Sequence, residues 1–313
     1  TTFGCPFDRA ASINGVIMNS VLADKRTILF FMLPASLIFL FIVIAPIFIS
    51  GYYSSLEWDG IGNGVFIGLE NYKDLFFGKT QIFYGAVWNS LLLAALSVFI
   101  QLPIAFIFAR ILAGGIKGEG FFRTVYFIPV IVSTVVIGQM WLKIYNPQYG
   151  LLNQILEAIG RGSWKQEWLG NKDIALGAVF VPLLWQYVGY HILLFYAGIK
   201  TVPQELIEAA RIDGASHSRI TFNIVIPYIV SIIEICVILA VIGSLKTFDL
   251  IYVITGGGPL HATEVPTTLM FNTLFHRVDY GSGSAMAIFI IAECLVLTMG
   301  IRYIFGRLNY DSQ

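Results

Sequence analysis

The sequence predicts an all-α protein that crosses a lipid bilayer six times. Hydrophobic residues make up 57% of its 313 residues and charged residues only 12%, whereas a soluble domain carries about 25% charged residues. The apolar residues are grouped in six runs of about 20 residues or more, which is the helix length that about 30 Å of hydrocarbon requires. Strand patterns are almost absent, so we expect helices throughout.

The six predicted spans cover residues 28–50, 87–109, 123–143, 174–198, 222–246 and 281–302. The first run is longer than the apolar core of a signal peptide, about 7–15 residues, so we interpret it as a retained helix. Segments rich in Gly, Asn, Asp and Lys separate the runs and indicate turns and loops. Prolines inside several runs predict kinked or tilted helices.

The distribution of Lys and Arg predicts the orientation of the chain. Eleven of the 19 basic residues lie in residues 1–27, 110–123, 200–219 and 302–313, which alternate with the remaining loops. Cytoplasmic loops carry the excess of basic residues. We therefore expect residues 1–27 and 306–313 to be cytoplasmic tails and residues 28–305 to form the transmembrane domain.

Several function classes are disfavoured by the sequence. A net charge of zero, with charges scattered singly, provides no basic surface for nucleic acid. Cys5, Cys236 and Cys294 have no metal-ligand spacing. The triplet Gly78-Lys79-Thr80 ends like a phosphate-binding loop, but Lys73 stands where that loop requires glycine. We therefore predict no catalytic, metal or nucleotide site on this chain.

Residues 201–214 contain a short polar helix between the fourth and fifth spans. Thr201 and Gln204 have the spacing of a capping box, and Gly214 supplies a stop. A helix of about 10 residues is about 15 Å long, too short to cross the bilayer. The Ala209-Ala210 pair would allow another surface to approach closely, which indicates a docking element.

The same segment resembles the EAA loop of binding-protein-dependent ABC importer permeases. Glu208-Ala209-Ala210, Gly214 and Pro227 match that motif at its spacing, and the loop spans residues 201–227. Ile226 departs from the family, which usually has leucine there. The resemblance implies a cytoplasmic coupling helix that sits in a cleft of an ATPase subunit, with this role carried by Glu208, Ala209, Ala210, Arg211, Asp213 and Gly214.

A second segment, Phe248–Pro259, resembles the maltose-type branch of these permeases, which takes up sugars and glycerol phosphate. Three glycines and a proline cannot continue a helix, so a sharp turn on the outer side is expected. By resemblance this turn, Gly256, Gly257, Gly258 and Pro259, faces the binding protein. A plain connecting loop without a partner is the alternative.

The resemblance also implies a set of partners. These are a second homologous permease, two ABC ATPase subunits that use ATP and Mg, an extracytoplasmic solute-binding protein and a carbohydrate substrate. It places the chain in a bacterial cytoplasmic membrane and makes it a transport subunit rather than an enzyme. A glycerol phosphate remains the alternative substrate.

Polar residues within the spans are candidates for the substrate path. Charges in the bilayer are costly, so Glu234 and Glu293 need partners or water, and a hydrogen bond within the bundle or to the second permease would serve equally well. The maltose-type resemblance nominates His191, Ser244 and Thr247. Tyr187 could stack on a sugar ring or belong to an interfacial aromatic belt.

The two glutamates also support an alternative from another class, an ion-coupled secondary transporter that needs no ATPase. In that reading Glu234 and Glu293 would carry protons or sodium ions. The complete EAA spacing favours the importer permease.

Overall fold

A computed structural model describes residues 25–78 and 82–310. Most of the predicted N-terminal tail, Cys5, and Lys79 and Thr80 of the triplet lie outside these residues. The chain divides into two units, the first ending at Tyr53 and the second beginning at Ser54. The described part of the first unit is helical, with α1 (Lys25–Phe39) and α2 (Ala45–Tyr53) joined by a π-helical turn, Leu40–Ile44.

The second unit contains the remaining helices and, within its described residues, one small pair of antiparallel strands, β1 (Leu56–Glu57) and β2 (Val65–Phe66). Its helices are α3 (Glu70–Phe77), α4 (Ile82–Leu96), α5 (Leu102–Ala113), α6 (Glu119–Ile131), α7 (Thr134–Ile144), α8 (Leu151–Ala158), α9 (Lys172–Lys200), α10 (Gln204–Ile212), α11 (His217–Ile220), α12 (Ile226–Tyr228), α13 (Val230–Leu245), α14 (Asp249–Ile254), α15 (Pro266–Phe271) and α16 (Tyr280–Tyr310).

The helical fold class is confirmed. Five helices in the described residues are long and apolar enough to cross a membrane, or six if the bent pair α6 and α7 forms one span. The spans at residues 87–109 and 174–198 fall inside longer observed helices. The last helix continues to Tyr310, so residues 306–310 of the predicted C-terminal tail are helical.

The third predicted span, residues 123–143, is not a single straight helix. Its two halves, α6 and α7, are bent by 94°. Val132 and Ser133 between them have extended backbone angles, with ψ of 138° and 130°. Their extended conformation interrupts the ladder of helical hydrogen bonds, and the chain changes direction there.

The fifth predicted span, residues 222–246, begins too early. Pro227 cannot donate a backbone hydrogen bond, and Ile229, with φ of −100° and ψ of 17°, leaves the helical conformation. The long helix α13 therefore starts at Val230. Beyond Leu245 the apolar stretch continues through α14 to Ile254.

Small residues allow the central helices to approach closely. Ala105 and Ala109 of α5 are fully buried and pack in one core cluster with Phe195 and Ile199 of α9. Gly189 of α9 approaches α6 so closely that a Cβ there would lie 1.8 Å from the Tyr126 carbonyl oxygen. Close packing of this kind is typical of helices in membranes.

Candidate functional site

A cavity of about 400 Å³ lies among α4, α6, α7, α9 and α13. Its walls are mainly apolar, with Leu93, Leu183 and Leu250 among them, but polar side chains converge on it from several helices. These are Ser97, Gln101, Thr134, Tyr187, Tyr190, His191, Ser244, Lys246, Thr247 and Asp249. Mostly apolar walls with a few polar groups are typical of small-molecule sites.

The π-helical turn Ser97–Gln101 between α4 and α5 positions two of these polar groups. The Ser97 and Ser244 hydroxyl oxygens lie 3.0 Å apart, and the Ser244 hydroxyl donates to the Ala240 carbonyl at 2.8 Å. Since Ser244 has one proton, Ser97 donates to Ser244. Gln101 Nε2 donates to the Leu184 carbonyl at 3.3 Å, which leaves the amide oxygen for other partners.

Helix α9 contributes an unsatisfied imidazole. His191 is 4% exposed, and its buried Nδ1 has no hydrogen-bond partner in the described part of the chain. Its ring packs edge-on against Tyr190, with centroids 5.4 Å apart. A buried polar nitrogen without a partner costs about 1–3 kcal/mol, which makes His191 an unusual residue to find in the wall of the cavity.

The break between α6 and α7 provides another part of the wall. Val130 and Thr134 line the cavity on the two sides of the break. Gln186 of α9 donates from Nε2 to the Thr134 hydroxyl at 3.2 Å. The first turn of α7 is therefore tied to α9 beside the cavity.

Two charged residues line the cavity beyond the end of α13. Lys246 and Asp249 are both exposed, and their formal charges cancel. Thr247 lies between them, and its carbonyl accepts a hydrogen bond from the Thr267 hydroxyl. The other polar groups of the cavity are hydroxyls, an amide and an imidazole, which suit an uncharged ligand.

Four of the six predicted path residues line the cavity: Tyr187, His191, Ser244 and Thr247. Glu234 and Glu293 do not line it. Glu234 lies in the second turn of α13, and Glu293 lies on α16 with its Oε2 atom buried and without a partner among the described residues.

Sequence reasoning missed Ser97, Gln101, Thr134 and Asp249 as cavity residues. Ser97 and Gln101 are four residues apart and therefore share a helix face, which was an available signal. Thr134 offered none, because its position depends on the 94° bend between α6 and α7, and the prolines in the sequence predicted a kink but not its size.

Helix α10 has two distinct sides. Ile207 and Ala210 pack on the core cluster of α5 and α9. Glu208, Arg211 and Ile212 are exposed, Ile212 to 86%. Of the alanine pair, only Ala209 is exposed. The outward side therefore combines charged and apolar groups, as a docking surface does.

The two ends of α10 gave different outcomes for the sequence predictions. The capping box was wrong: the Thr201 hydroxyl donates back to the Gly198 carbonyl at 2.8 Å, and Pro203 occupies the N-cap position. The stop at Gly214 was right. Gly214 has φ of +77°, a left-handed conformation that glycine adopts without strain.

The glycine turn after α14 is built around a buried carboxylate. Gly256 and Gly257 have φ of +60° and +94°, so the helix ends as the sequence predicted. Glu264 is buried, with 1% of its surface exposed. Its Oε2 atom lies 2.7 Å from Nδ1 of His261, which is partly exposed. A Cβ at Gly257 would lie 2.6 Å from the same carboxylate oxygen.

Hydrogen bonds from hydroxyl groups also stabilise the turn. Thr263 Oγ1 donates to the Gly258 carbonyl at 2.6 Å and lies 2.7 Å from the Thr255 hydroxyl. Asn89 of α4 donates to the Glu264 carbonyl at 2.8 Å. The turn therefore has a defined conformation and is attached to α4.

Residues 101–310 match the protein family described as "Binding-protein-dependent transport system inner membrane component". The chain belongs to this family. The match includes α9, the outward side of α10, α13 and the glycine turn, and it decides between the two classes that the sequence left open. The ion-coupled secondary transporter is excluded, and the prediction of an ABC importer permease is confirmed.

Curated proteins and solved structures agree with this assignment. The chain is 37% identical to the "Probable ABC transporter permease protein YurN" of Bacillus subtilis (strain 168), over 86% of this chain and 92% of that protein. It is 34% identical to the "Trehalose/maltose transport system permease protein MalF" of Thermococcus litoralis, over 89% and 93%. A bacterial alginate ABC transporter, solved with its alginate pentasaccharide-bound periplasmic protein, shares the fold at a TM-score of 0.79 and 20% identity, over 91% and 96%.

The family has direct consequences for this permease. It is a multi-pass inner-membrane subunit and a transport component rather than an enzyme. A permease of this family works with a solute-binding protein and with ATPase subunits, which are separate polypeptides.

Proposed function

We propose that this permease imports a neutral sugar or oligosaccharide, which passes through the cavity between α9 and α13. The observation that carries the proposal is the lining of that cavity, in which hydroxyls, an amide and the His191 ring surround a space of about 400 Å³. These groups match the donors and acceptors of a carbohydrate. Tyr187 and Tyr190 add aromatic faces on which a pyranose ring stacks.

The neutral character of the ligand follows from the charges. Lys246 and Asp249 are the charged residues of the lining, and they cancel. A phosphate or carboxylate substrate would gain from Lys246 but would be repelled by Asp249. The printed name of the Thermococcus relative, a trehalose/maltose permease, supports a sugar independently.

In this proposal ATP hydrolysis by the ATPase subunits acts on the permease through α10. The exposed Glu208, Arg211 and Asp213 contact an ATPase subunit in the cytoplasm, and Gly214 fixes the end of the helix. Two ATPase subunits hydrolyse ATP with Mg, one beneath this chain and one beneath a second homologous permease. The density of basic residues supports a cytoplasmic location for both termini.

The glycine turn is the contact for the solute-binding protein. It lies beyond the opposite end of α13 from the α10 loop, so it faces the outside when α10 faces the cytoplasm. Gly256, Gly257, Gly258 and Pro259 form its bend, and the buried Glu264 holds it. The cavity residues Leu239 to Leu250 lie between the two contact sites in the chain.

The first experiment identifies the partners. The tagged chain is purified from its native membrane in mild detergent, and bound proteins are identified by mass spectrometry. We expect a second permease and an ABC ATPase. A chain that purifies alone and still transports after reconstitution would contradict the proposal.

The second experiment tests substrate and coupling in liposomes that contain the whole complex and its binding protein. ATP-driven uptake is measured for a panel of labelled neutral sugars, acidic sugars and glycerol phosphate. Uptake of glycerol phosphate without uptake of sugars would overturn the substrate class. Glu208→Ala should abolish uptake, whereas the control Glu167→Ala, an exposed glutamate of the loop before α9, should leave it unchanged.

A further inference from the structure

Four side chains connect α6 to the end of α9, immediately before α10. The Tyr196 hydroxyl donates to Oε1 of Glu119. The Arg123 guanidinium carbon lies 5.0 Å from the centroid of the Tyr196 ring, and the Lys200 ammonium nitrogen lies 5.4 Å from it. Two cations and one carboxylate thus converge on one tyrosine, and we refer to these four residues as the clasp.

The clasp is the first of three contacts between α9 and the α6–α7 pair. The second is the close approach of Gly189 to the Tyr126 carbonyl. Gly189 and Tyr196 are seven residues apart, as are Glu119 and Tyr126, so each pair lies two turns apart on one helix face. The third contact is the hydrogen bond from Gln186 to Thr134.

The three contacts differ in their rigidity. At the middle contact the backbones of α6 and α9 meet without room for a Cβ, and we take this contact as the fulcrum of the pair. The clasp consists of long side chains on partly exposed positions, and it can follow a displacement of α9. Beyond the fulcrum, the break at Val132 and Ser133 lets the far end of α6 move relative to α7.

The clasp is also close to α10 in the chain. Lys200 ends α9, and only three residues separate it from Gln204, the first residue of α10. Val202 between them is buried in the core cluster. The Lys200 ammonium group donates to the Ala113 carbonyl at 3.3 Å, which adds the end of α5 to the same assembly. A displacement of α10 is therefore transmitted over a short length of chain to Lys200 of the clasp.

We infer that the clasp transmits displacement of α10 to α6, which pivots at Gly189 and moves the cavity wall at Val130. Glu119 and Tyr196 are positioning residues in this scheme, because neither lines the cavity or lies on α10. The inference rests on the proposed role of α10 as the ATPase contact. It assigns to the clasp the coupling between ATP hydrolysis and the shape of the substrate path.

The test uses the complete transporter in liposomes, with uptake and ATP hydrolysis measured in the same vesicles. Tyr196→Phe removes the hydroxyl but keeps the ring beneath both cations. We expect the sugar transported per ATP to fall about fivefold or more, the lower end of measured allosteric coupling. Glu119→Gln keeps a hydrogen-bond acceptor and should lose less.

Tyr303→Phe is the matched control. Arg307 lies over the Tyr303 ring, 4.5 Å from its centroid, and donates to the hydroxyl, but both residues belong to α16. This variant should transport as much sugar per ATP hydrolysed as the wild type. The thermal unfolding temperature of each complex separates coupling from folding, because Tyr196→Phe should unfold near the wild type.

The outcomes distinguish this inference from the proposed function. If Tyr196→Phe transports as much per ATP as the wild type, or loses transport and hydrolysis in proportion, the clasp does not couple them. If the wild-type complex shows no ATP-driven uptake, the proposed function itself fails. Loss of coupling in Tyr303→Phe as well would show a general effect of removing tyrosine hydroxyls and would also overturn the inference.

Discussion

The close approach of α6 and α9 at Gly189 makes a quantitative prediction. In Gly189→Ala the new Cβ would lie 1.8 Å from the Tyr126 carbonyl oxygen and 3.3 Å from the Cα of Phe127. Ordinary contact begins near 3.4 Å, so the helices must separate by about 1.6 Å along that line. Both partners are backbone, and neither can rotate away. Overpacking of this kind costs about 1–3 kcal/mol.

Gly177→Ala on the same helix is the matched control. Nothing lies within 4 Å of a Cβ at Gly177, and alanine favours a helix over glycine by about 0.5–1 kcal/mol. We expect Gly189→Ala to lower the thermal unfolding temperature of the purified complex, and Gly177→Ala to leave it unchanged or raise it. Tryptophan fluorescence on heating measures both.

The same substitution should impair transport, because Tyr126 and Phe127 lie about one turn from Val130 in the cavity wall. ATP-driven uptake should therefore fall in Gly189→Ala and not in Gly177→Ala. If the two variants unfold and transport alike, the helices do not approach as closely as the structure describes, and the pivot is refuted.

Three further predictions concern the glycine turn, α10 and the cavity. Gly257→Ala should reduce the stimulation of ATPase activity by the binding protein more than Gly256→Ala does. A Cβ at Gly257 would lie 2.6 Å from Glu264 Oε2, whereas the nearest atom to a Cβ at Gly256 is 3.9 Å away. Equal losses in the two variants would contradict this. Gly214→Ala should strain the left-handed end of α10 by about 1–2 kcal/mol and weaken retention of the ATPase during purification, and full retention would oppose the assignment. His191→Phe should raise the KM for uptake about 3–10-fold through the loss of one hydrogen bond, and an unchanged KM would remove His191 from the path.

The sequence was sufficient to locate the apolar helices, but not their breaks or the faces they present. Apolar runs of adequate length predict helices, because a helix satisfies its backbone hydrogen bonds within one segment in lipid. The same apolar character hides which side faces inward, since α4 and α13 are hydrophobic all round. Ser97 and Gln101 were missed for this reason, whereas Ser244 and Thr247 were found through a family resemblance.

The prolines in the apolar runs predicted kinks, but neither the position nor the size of the bend between α6 and α7. Pro129 is accommodated inside α6, and the break falls at Val132 and Ser133, which contain no glycine or proline. The bend is stabilised by contacts distant in the chain, such as Gln186 with Thr134 and Gly189 with Tyr126. By contrast, Gly214 and Gly257 were predictable as chain reversals, because a left-handed backbone selects glycine locally.

The placement of Glu234 and Glu293 fits the energy source that the family implies. A secondary transporter binds its coupling ion beside its substrate near the bilayer midplane, but neither glutamate lines the cavity. The polar groups that a sugar would meet there are uncharged apart from the offsetting Lys246 and Asp249. Under the proposed function the driving force comes from the ATPase subunits, and the exposed side of α10, three residues from the end of α9, is the surface proposed to receive it.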